Sequence, residues 1–331
     1  MRALVLEQPS THPCLIEKEP LSAEAGFAKI RLHAAGWNRR DYWIMKGKYP
    51  NINLPVTMGS DGCGFVEDCP NRPDLIGQEV VICPSLNWGT DSEHQSDNFH
   101  ILGMPKDGTF AEEILVPVEN VFAKPEHLSE EKAAALPLAG LTAWRAIFSR
   151  GQLKTNENVL ITGIGGSTAI FALQFAVAIG ANVFVTSSSL EKIEKAQKLG
   201  AMEGVLYTDK DWEEKLHSFS PSGFDVIIDS AGGDGFGHLV KLLGMGGRLV
   251  FFGGTQGRWP TILPQYLFFK QVSLLASTMG SPVEFEQMLK FVERYQMEPV
   301  IDSIFALENY NQAITQLTHR ERFGKVILQI D

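Results

Sequence analysis

Residues 159–169 read Val-Leu-Ile-Thr-Gly-Ile-Gly-Gly-Ser-Thr-Ala, and this stretch is the strongest indication of how the chain folds. Three apolar residues lead into a turn that contains Gly163, Gly165 and Gly166, and an apolar run follows the turn. The pattern predicts a strand, a tight turn and a buried helix. Backbone N–H groups at such a helix start attract anions, and a dinucleotide pyrophosphate is the usual ligand. Because the last glycine of the strict G-x-G-x-x-G fingerprint is missing and the motif is weak by itself, a glycine-rich corner without a ligand is the alternative.

The second half of the chain alternates apolar strands with helices. Strands are expected at residues 159–161, 182–187, 204–208, 224–229, 248–253 and 272–277. Apolar strands that alternate with helices imply an α/β domain with a parallel sheet covered on both faces. Six such strands, with the phosphate turn after the first, predict a dinucleotide-binding Rossmann domain over residues 123–296.

Length and composition restrict the class of protein. The 331 residues are enough for about two domains, and 44% hydrophobic with 21% charged residues is typical of a globular chain. A net charge of −10 argues against nucleic acid and anionic membranes as partners. Residues 1–7 have the pattern of a strand, not of a signal peptide, so a cytoplasmic location is expected. The four cysteines lack C-x-x-C spacing and indicate neither a disulfide framework nor a cysteine zinc site: Cys14, Cys63, Cys69 and Cys83.

The first part of the chain has shorter strands and more frequent turns. Strands are expected at residues 29–36, 64–68, 79–82 and 110–116. The same pattern returns near the other end of the chain, with strands at residues 300–305 and 325–330 around an amphipathic helix at 309–317. We therefore predict a β-rich domain over residues 1–122 that is completed by residues 297–331.

Five short motifs resemble those of one family. They are Ala-Gly-Trp-Asn-Arg-Arg-Asp at 35–41, Met-Gly-Ser-Asp-Gly-Cys-Gly at 58–64, Gly-Thr-Phe-Ala-Glu at 108–112, Ala-Ala-Leu-Pro-Leu-Ala-Gly-Leu-Thr-Ala at 134–143 and Phe-Gly-Lys-Val at 323–326. With the glycine turn, they resemble the medium-chain dehydrogenase/reductase superfamily, and most of all its zinc-free, quinone-oxidoreductase-like branch. The resemblance implies a GroES-like catalytic domain, hydride transfer from NADPH, and a homodimer formed through Rossmann edge strands. Residues 272–277 are the candidate edge.

The resemblance also bears on zinc. Zinc-dependent relatives use an early-loop cysteine, a histidine-glutamate pair, and a later cysteine or acid. This chain has Asn38 and Arg39 in the early loop and Ser60-Asp61 in place of the pair, so we predict no metal and disfavour a zinc-dependent alcohol dehydrogenase. The lobe at 84–106 has none of the structural cysteines of zinc enzymes, and its polar residues are expected in solvent: Asp91, Glu93, His94, Asp97 and His100.

Without a metal, hydrogen-bond donors must hold the acceptor and stabilise the charge that develops on its oxygen. The resemblance assigns this role to the early loop and its neighbours, with these catalytic candidates: Asn38, Asp41, Tyr49 and Ser60. Trp43 and Asp61 are expected nearby. Three of the candidates have a structural alternative: Asp41 caps backbone N–H groups, the Tyr49 ring packs, and Ser60 braces a loop. Solvent is the expected proton source.

Cofactor contacts are expected at the carboxyl ends of the Rossmann strands, where ligands bind. The candidates there are Gly163, Gly165, Gly166, Ser167, Thr168, Ser187, Ser188, Ser189, Lys192, Ser230, Gly253 and Gly254. The resemblance adds Thr142 as a cofactor contact; the alternative is a helix residue that bonds its own backbone. It also adds Lys325, for which the alternative is a lysine exposed to solvent.

The strand at 182–187 predicts the choice of cofactor. Domains that select NAD end this strand with an acid that binds the ribose 2′-OH. Here the strand runs into Ser187-Ser188-Ser189, and the first acid, Glu191, lies inside the next helix. We therefore predict NADPH, with the hydroxyls and Lys192 on its 2′-phosphate. The alternative is that the serines only form the turn and the helix N-cap.

These patterns together predict an enzyme that transfers a hydride from NADPH to a small-molecule acceptor without a metal. The expected acceptors are quinones, enones and other activated carbonyls. A non-catalytic NADPH-binding sensor or structural protein is the alternative that the residues leave open.

Overall fold

The computed structural model describes residues 1–330, which form two compact units. Unit 1 contains residues 1–141 together with the chain from residue 280 onward, and unit 2 contains residues 142–279. Within the described residues no helix has both the length and the apolar character needed to cross a membrane.

Strands make up the framework of both units. In the described residues they are β1 (Arg2–Leu6), β2 (Cys14–Glu17), β3 (Phe27–Gly36), β4 (Val56–Thr57), β5 (Asp61–Asp68), β6 (Glu79–Ile82), β7 (Ser85–Leu86), β8 (His100–Ile101), β9 (Glu113–Pro117), β10 (Val121–Ala123), β11 (Asn158–Ile161), β12 (Asn182–Ser187), β13 (Glu203–Leu206), β14 (Phe224–Asp229), β15 (Leu243–Phe251), β16 (Ser273–Ala276), β17 (Ile301–Ala306) and β18 (Lys325–Gln329).

Helices connect strands in both units. They are α1 (Arg39–Met45), α2 (Glu130–Ala135), α3 (Pro137–Trp144), α4 (Ser167–Ala178), α5 (Leu190–Lys198), α6 (Trp212–Phe219), α7 (Phe236–Leu242), α8 (Gln265–Phe268), α9 (Pro282–Arg294) and α10 (Tyr310–Thr318). A π-helical turn continues α3 over Arg145–Arg150.

Unit 1 is built around a seven-stranded sheet. Its strands follow the order β10-β6-β5-β3-β18-β17, and β9 also pairs with β3. The late strand β18 lies antiparallel to β3 and parallel to β17, so strands from both ends of the sequence share this sheet. The GroES-like, β-rich character expected for this part of the chain is confirmed. A buried apolar core lies against the sheet and includes Trp37 and Phe110, whose ring centroids are 4.3 Å apart.

Unit 2 contains the predicted six-stranded parallel sheet. The strand order is β13-β12-β11-β14-β15-β16, so the first strand of the unit is central and the direction of winding reverses beside it. β11 and β14 are buried along most of their length, as expected for parallel strands with helices on both faces. β15 begins at Leu243, earlier than its apolar run indicated. β16 forms one edge of the sheet.

Candidate active site

Strand register in unit 1 brings three distant positions together. Gly36 on β3 pairs with Asp61 on β5 and, on its other side, with Ile327 on β18. Trp37 continues the second pairing, since its N–H donates to the Val326 carbonyl at 2.9 Å. The side chains that begin β5 and β18 therefore lie on either side of the end of β3.

Gly36 leaves the space through which a lysine crosses the sheet. A Cβ at this position would lie 2.8 Å from Lys325 Cε, 2.8 Å from the Ala134 carbonyl oxygen and 3.2 Å from Asp61 Cβ. Real Cβ atoms essentially never approach heavy atoms that closely, so any side chain here would displace the lysine. The glycine lets Lys325 reach from β18 over β3 to β5.

A buried network joins Lys325, Asp61 and Asn38. The Lys325 ammonium donates to Asp61 Oδ2 at 2.5 Å and to Asn38 Oδ1 at 2.7 Å. The Asn38 amide donates to Asp61 Oδ2 at 2.8 Å and to the Gly36 carbonyl at 3.4 Å, and Leu138 N–H donates to Asp61 Oδ1 at 2.8 Å. Both amide hydrogens of Asn38 thus have acceptors within the protein, and direct contact between Asn38 and a substrate stays a prediction. The solvated alternative weighed for Lys325 is wrong, since this residue is 1% exposed, and its contact with a cofactor stays a prediction.

Asp41 lies in α1, one turn from Asn38, and is fully buried. Its Oδ2 accepts from Asn38 N–H at 2.7 Å, which is the capping role weighed as its structural alternative. Burial raises the pKa of Asp41 to about 6, although the Arg40 charge and the Asn38 N–H act in the opposite direction. Its Oδ1 is buried without a hydrogen-bond partner among the described residues.

Arg40 and Ser60 form a second buried group beside this network. Arg40 Nη1 donates to Ser60 Oγ at 2.6 Å and to the Leu102 carbonyl at 2.8 Å, and Ser60 Oγ also donates to that carbonyl at 2.8 Å. Arg40 Nε approaches Tyr49 Oη at 3.4 Å, and the Arg40 guanidinium carbon lies 4.9 Å from the centre of the Tyr49 ring. The structure therefore brings together Arg40, Tyr49 and Ser60, of which only the last two were expected here.

These side chains do not fit a zinc ion. Asp61 accepts three hydrogen bonds, one of them from an ammonium group, and Ser60 Oγ receives a guanidinium N–H. A second cation at these atoms would be repelled by the two that the protein already holds. Among the described residues, no three His, Cys, Asp or Glu side chains are grouped so that they could hold a metal ion. In the 84–106 lobe, His94 and Asp91 are exposed, as expected.

In unit 2, the glycine turn has the form expected of an anion site. Gly163 and Gly165 have φ of +63° and +121°, a backbone conformation that favours glycine. Gly166 is the N-cap of α4 with φ −73°, and a Cβ there would meet no atom within 4 Å. A Cβ at Gly163 would also meet nothing within 4 Å. The turn is thus open on the side where Ser167 and the rest of the first turn of α4 present backbone N–H groups.

The end of β12 lies next to this turn. Ser187 is buried and its Oγ accepts from Ser189 N–H at 3.2 Å, while Ser188 is half-buried. Ser189 stands at the N-cap of α5, as the structural alternative expects. Lys192 bends toward the glycines: a Cβ at Gly165 would lie 2.8 Å from its Cδ and 3.2 Å from its Nζ. The lysine cation therefore lies beside the turn that begins α4.

Asp229 connects two loops at the carboxyl ends of the strands. It is 1% exposed, accepts from Thr162 Oγ1 at 2.6 Å through Oδ1, and accepts from Gly232 N–H at 2.8 Å through Oδ2. A Cβ at Gly253 would lie 2.5 Å from the Ser230 carbonyl oxygen, so glycine there allows the ends of β14 and β15 to approach. Sequence reasoning missed Asp229, although an acid that ends a buried strand is a recognisable signal.

The other predicted positions also lie at loop or helix ends of unit 2. Gly254 is exposed, and Thr168 is half-buried in the first turn of α4. Thr142 begins the unit; it is 7% exposed, and its Oγ1 lies 3.8 Å from Met279 Sδ.

Two family models match the chain one after the other. The alcohol dehydrogenase GroES-like domain matches residues 24–126, and the zinc-binding dehydrogenase domain matches residues 168–294. The zinc-type alcohol dehydrogenase-like protein YogA of Leptosphaeria maculans is 35% identical over 323 residues, covering 91% of this chain and 90% of that protein. The chain belongs to the medium-chain dehydrogenase/reductase superfamily. The resemblance found in the motifs is confirmed.

Solved structures show the medium-chain dehydrogenase/reductase fold over the whole chain. An NAD-dependent alcohol dehydrogenase superposes with a TM-score of 0.92 at 32% identity and is covered completely, as is this chain. The quinone oxidoreductase of Thermus thermophilus, studied also in complex with NADPH, superposes with a TM-score of 0.82 at 26% identity, again with complete coverage of both chains. Such a fold implies a nicotinamide cofactor. The name of the first similar structure gives NAD, and that of the second gives NADPH.

Proposed function

We propose that this protein is an NADPH-dependent oxidoreductase that transfers a hydride to a quinone, an enone or another activated carbonyl without a metal ion. The observation that carries this proposal is the set of hydrogen bonds that Asn38, Ser60 and Asp61 accept. These residues stand where zinc-dependent relatives place ligands, and each is held by a cationic side chain, Lys325 or Arg40. The acceptor must then be activated by hydrogen bonds and fixed charge.

The cofactor side of the proposal rests on unit 2. The open face at Gly163 and Gly166 would receive the pyrophosphate, which backbone N–H groups at the start of α4 would bind. β12 ends in Ser187 without an acid, and Glu191 pairs with Lys195 at 2.6 Å on α5. A 2′-phosphate would therefore meet hydroxyls and Lys192 and would not meet a carboxylate. The bound cofactor supplies the hydride.

A panel of acceptors tests the activity. The purified protein is mixed with NADPH and, separately, with quinones, enones and aldehydes, and the loss of reduced nicotinamide absorbance is followed. We expect turnover to survive chelation. We also expect it in protein that elemental analysis shows to be free of zinc. Stoichiometric zinc that is lost together with activity would instead identify a zinc-dependent dehydrogenase. NADPH binding without turnover of any acceptor would identify a non-catalytic binding protein.

The choice of cofactor has its own test. Dissociation constants for NADPH and NADH are compared in the wild type and in a Ser188→Ala, Lys192→Ala double variant. The wild type is expected to bind NADPH at least about tenfold more tightly, equivalent to roughly 1.4 kcal/mol, and the variant to lose most of this difference. Lys198→Ala, an exposed substitution on the same helix, is the control. Equal affinities of the wild type for the two cofactors would contradict the prediction that the end of β12 selects NADPH.

A further inference from the structure

Arg40 is a buried cation whose direct hydrogen-bond acceptors carry no charge. It is 7% exposed, and both acceptors of its Nη1, the Ser60 hydroxyl and the Leu102 carbonyl, are uncharged. The neighbouring Lys325 differs in this respect, because its ammonium group directly contacts the Asp61 carboxylate. Of these two buried cations, Arg40 is the one whose direct hydrogen bonds do not neutralise its charge, although that charge also acts on the neighbouring Asp41 carboxyl.

One end of the Arg40 guanidinium is also unused. Nη2 is buried and has no hydrogen-bond partner among the described residues, while Nη1 and Nε are held by Ser60, Leu102 and Tyr49. Buried N–H groups almost always have acceptors, so the two N–H groups of Nη2, which have none among the described residues, require an explanation. The two contacts of Nη1 orient the fork, and Nη2 presents two further N–H donors in a set direction.

We propose that Arg40 binds the carbonyl oxygen of the hydride acceptor through Nη2. The inference rests on the proposed function and specifies its acceptor as a conjugated carbonyl, an enone or a quinone. Because the half-buried ring of Tyr49 lies 4.9 Å from the guanidinium carbon, it is the cover that the acceptor displaces. Ser60 is then a positioning residue, which holds Nη1 so that Nη2 points at the oxygen.

The step accounts for every electron and proton. A hydride adds to the β-carbon of an enone, the carbon–carbon π pair shifts to form the enolate double bond, and the carbonyl π pair moves to oxygen. The resulting negative charge lies against the Arg40 guanidinium, which stabilises it more than the neutral ground state. Water then donates a proton to the α-carbon and is left as hydroxide, and the hydride donor has lost two electrons and one proton.

Kinetics of Arg40→Met and Arg40→Lys test the role. In Arg40→Met, kcat/KM for an enone or quinone is expected to fall roughly 10- to 1000-fold with an unchanged dissociation constant for NADPH. Added guanidinium chloride at millimolar concentration restores part of the rate in this variant only. Arg40→Lys keeps the charge but loses the fork and should be intermediate. Arg72→Met, which removes an exposed arginine, is the control and should match the wild type.

A second readout does not depend on turnover. p-Nitrophenol carries an oxygen that becomes a coloured anion, so its titration in the presence of protein reports a nearby cation. With the wild type it should ionise about one pH unit lower than in buffer, and with Arg40→Met this difference should disappear. Wild-type kinetics in Arg40→Met, or identical p-nitrophenol titrations in both proteins, would overturn the assignment. If the wild type reduces no acceptor, the proposed function fails, and the p-nitrophenol titration still decides whether Arg40 binds an oxyanion.

Discussion

Asp41 makes the stability of the protein depend on pH. Its pKa is about 6 in the folded state and 3.8 as its ordinary value, because burial disfavours the charged form. Between about pH 4 and 6 the folded state binds more protons than the unfolded state, so stability falls as pH rises through this window. The loss is about 3 kcal/mol and is complete above the folded pKa.

Urea unfolding at a series of pH values measures this effect. Asp41→Asn keeps an oxygen for the Asn38 N–H but has no charge, so its stability should change less across the window than that of the wild type. Asp97→Asn, on an exposed loop, should leave the profile unaltered. An Asp41→Asn profile as steep as that of the wild type would show that another group titrates.

The Lys325–Asp61 pair should behave as a unit. Lys325→Met leaves the fully buried Asp61 carboxylate without its cation, which costs about 3–5 kcal/mol of unfolding free energy. Combining it with Asp61→Asn removes the charge and keeps an acceptor for Leu138 N–H, so the double variant should be more stable than Lys325→Met alone. Chemical unfolding of both, with exposed Lys48→Met as control, decides whether the two positions are coupled.

Residue patterns singled out several of these groups but could not show their contacts. Motif resemblance singled out Asn38, Ser60 and Asp61, yet the partner of Asp61 is 264 positions away and is determined by strand register. Arg40 has the appearance of a surface arginine in the sequence, and only its position beside Ser60 reveals its burial.

At the scale of elements, the glycine turn gives the sharpest prediction. Gly166→Asp should abolish NADPH binding and preserve the fold, because its φ of −73° suits any residue and a Cβ there is unobstructed. The carboxylate would repel a pyrophosphate at the start of α4. Fluorescence titration with NADPH measures the loss, and circular dichroism checks the fold.

Two neighbouring substitutions serve as controls. Gly166→Ala adds a methyl group without charge and should keep most of the affinity. Gly165→Asp should destabilise the protein itself, since φ of +121° is unfavourable for a side chain and Lys192 occupies the space. Undiminished NADPH affinity in Gly166→Asp would mean that the turn is not the phosphate site.

Strands were predictable where local pattern alone determines them. β12 and β14 have the bounds expected from their apolar runs, because both are buried on two faces and end at polar or glycine-rich loops. β7 and β8 were missed, since no strand was predicted in the 84–106 lobe. Each is a two-residue strand defined by pairing with the other, and so short a segment has no periodicity of its own.

At the scale of the whole molecule, β16 is the predicted contact between two copies. It is an edge strand with exposed Ser273 and Ala276, and such edges pair with other chains unless they are protected. Ser277 N–H donates inward to the Phe251 carbonyl, so by strand alternation the N–H of Ala276 points away from the sheet.

Proline scanning of this edge is the corresponding experiment. Ala276→Pro removes an outward N–H and should convert a dimer to a folded monomer in analytical ultracentrifugation. Leu275→Pro removes an inward N–H and should destabilise the sheet itself. A wild-type monomer would contradict the predicted dimer. A dimer that survives Ala276→Pro would show that the two copies do not pair through β16.

The crossing of Lys325 to Asp61 has a consequence for the chain during its synthesis. When Asp61 leaves the ribosome, its cation is still 264 residues from being made, which at ordinary elongation rates is a delay of roughly 13–53 s. All of unit 2 is translated within that interval and can fold, while β3 and β5 wait with an unneutralised carboxylate between them. Because β18 carries the lysine that permits burial, the nascent first unit stays open to chaperones and proteases until Lys325 has been made.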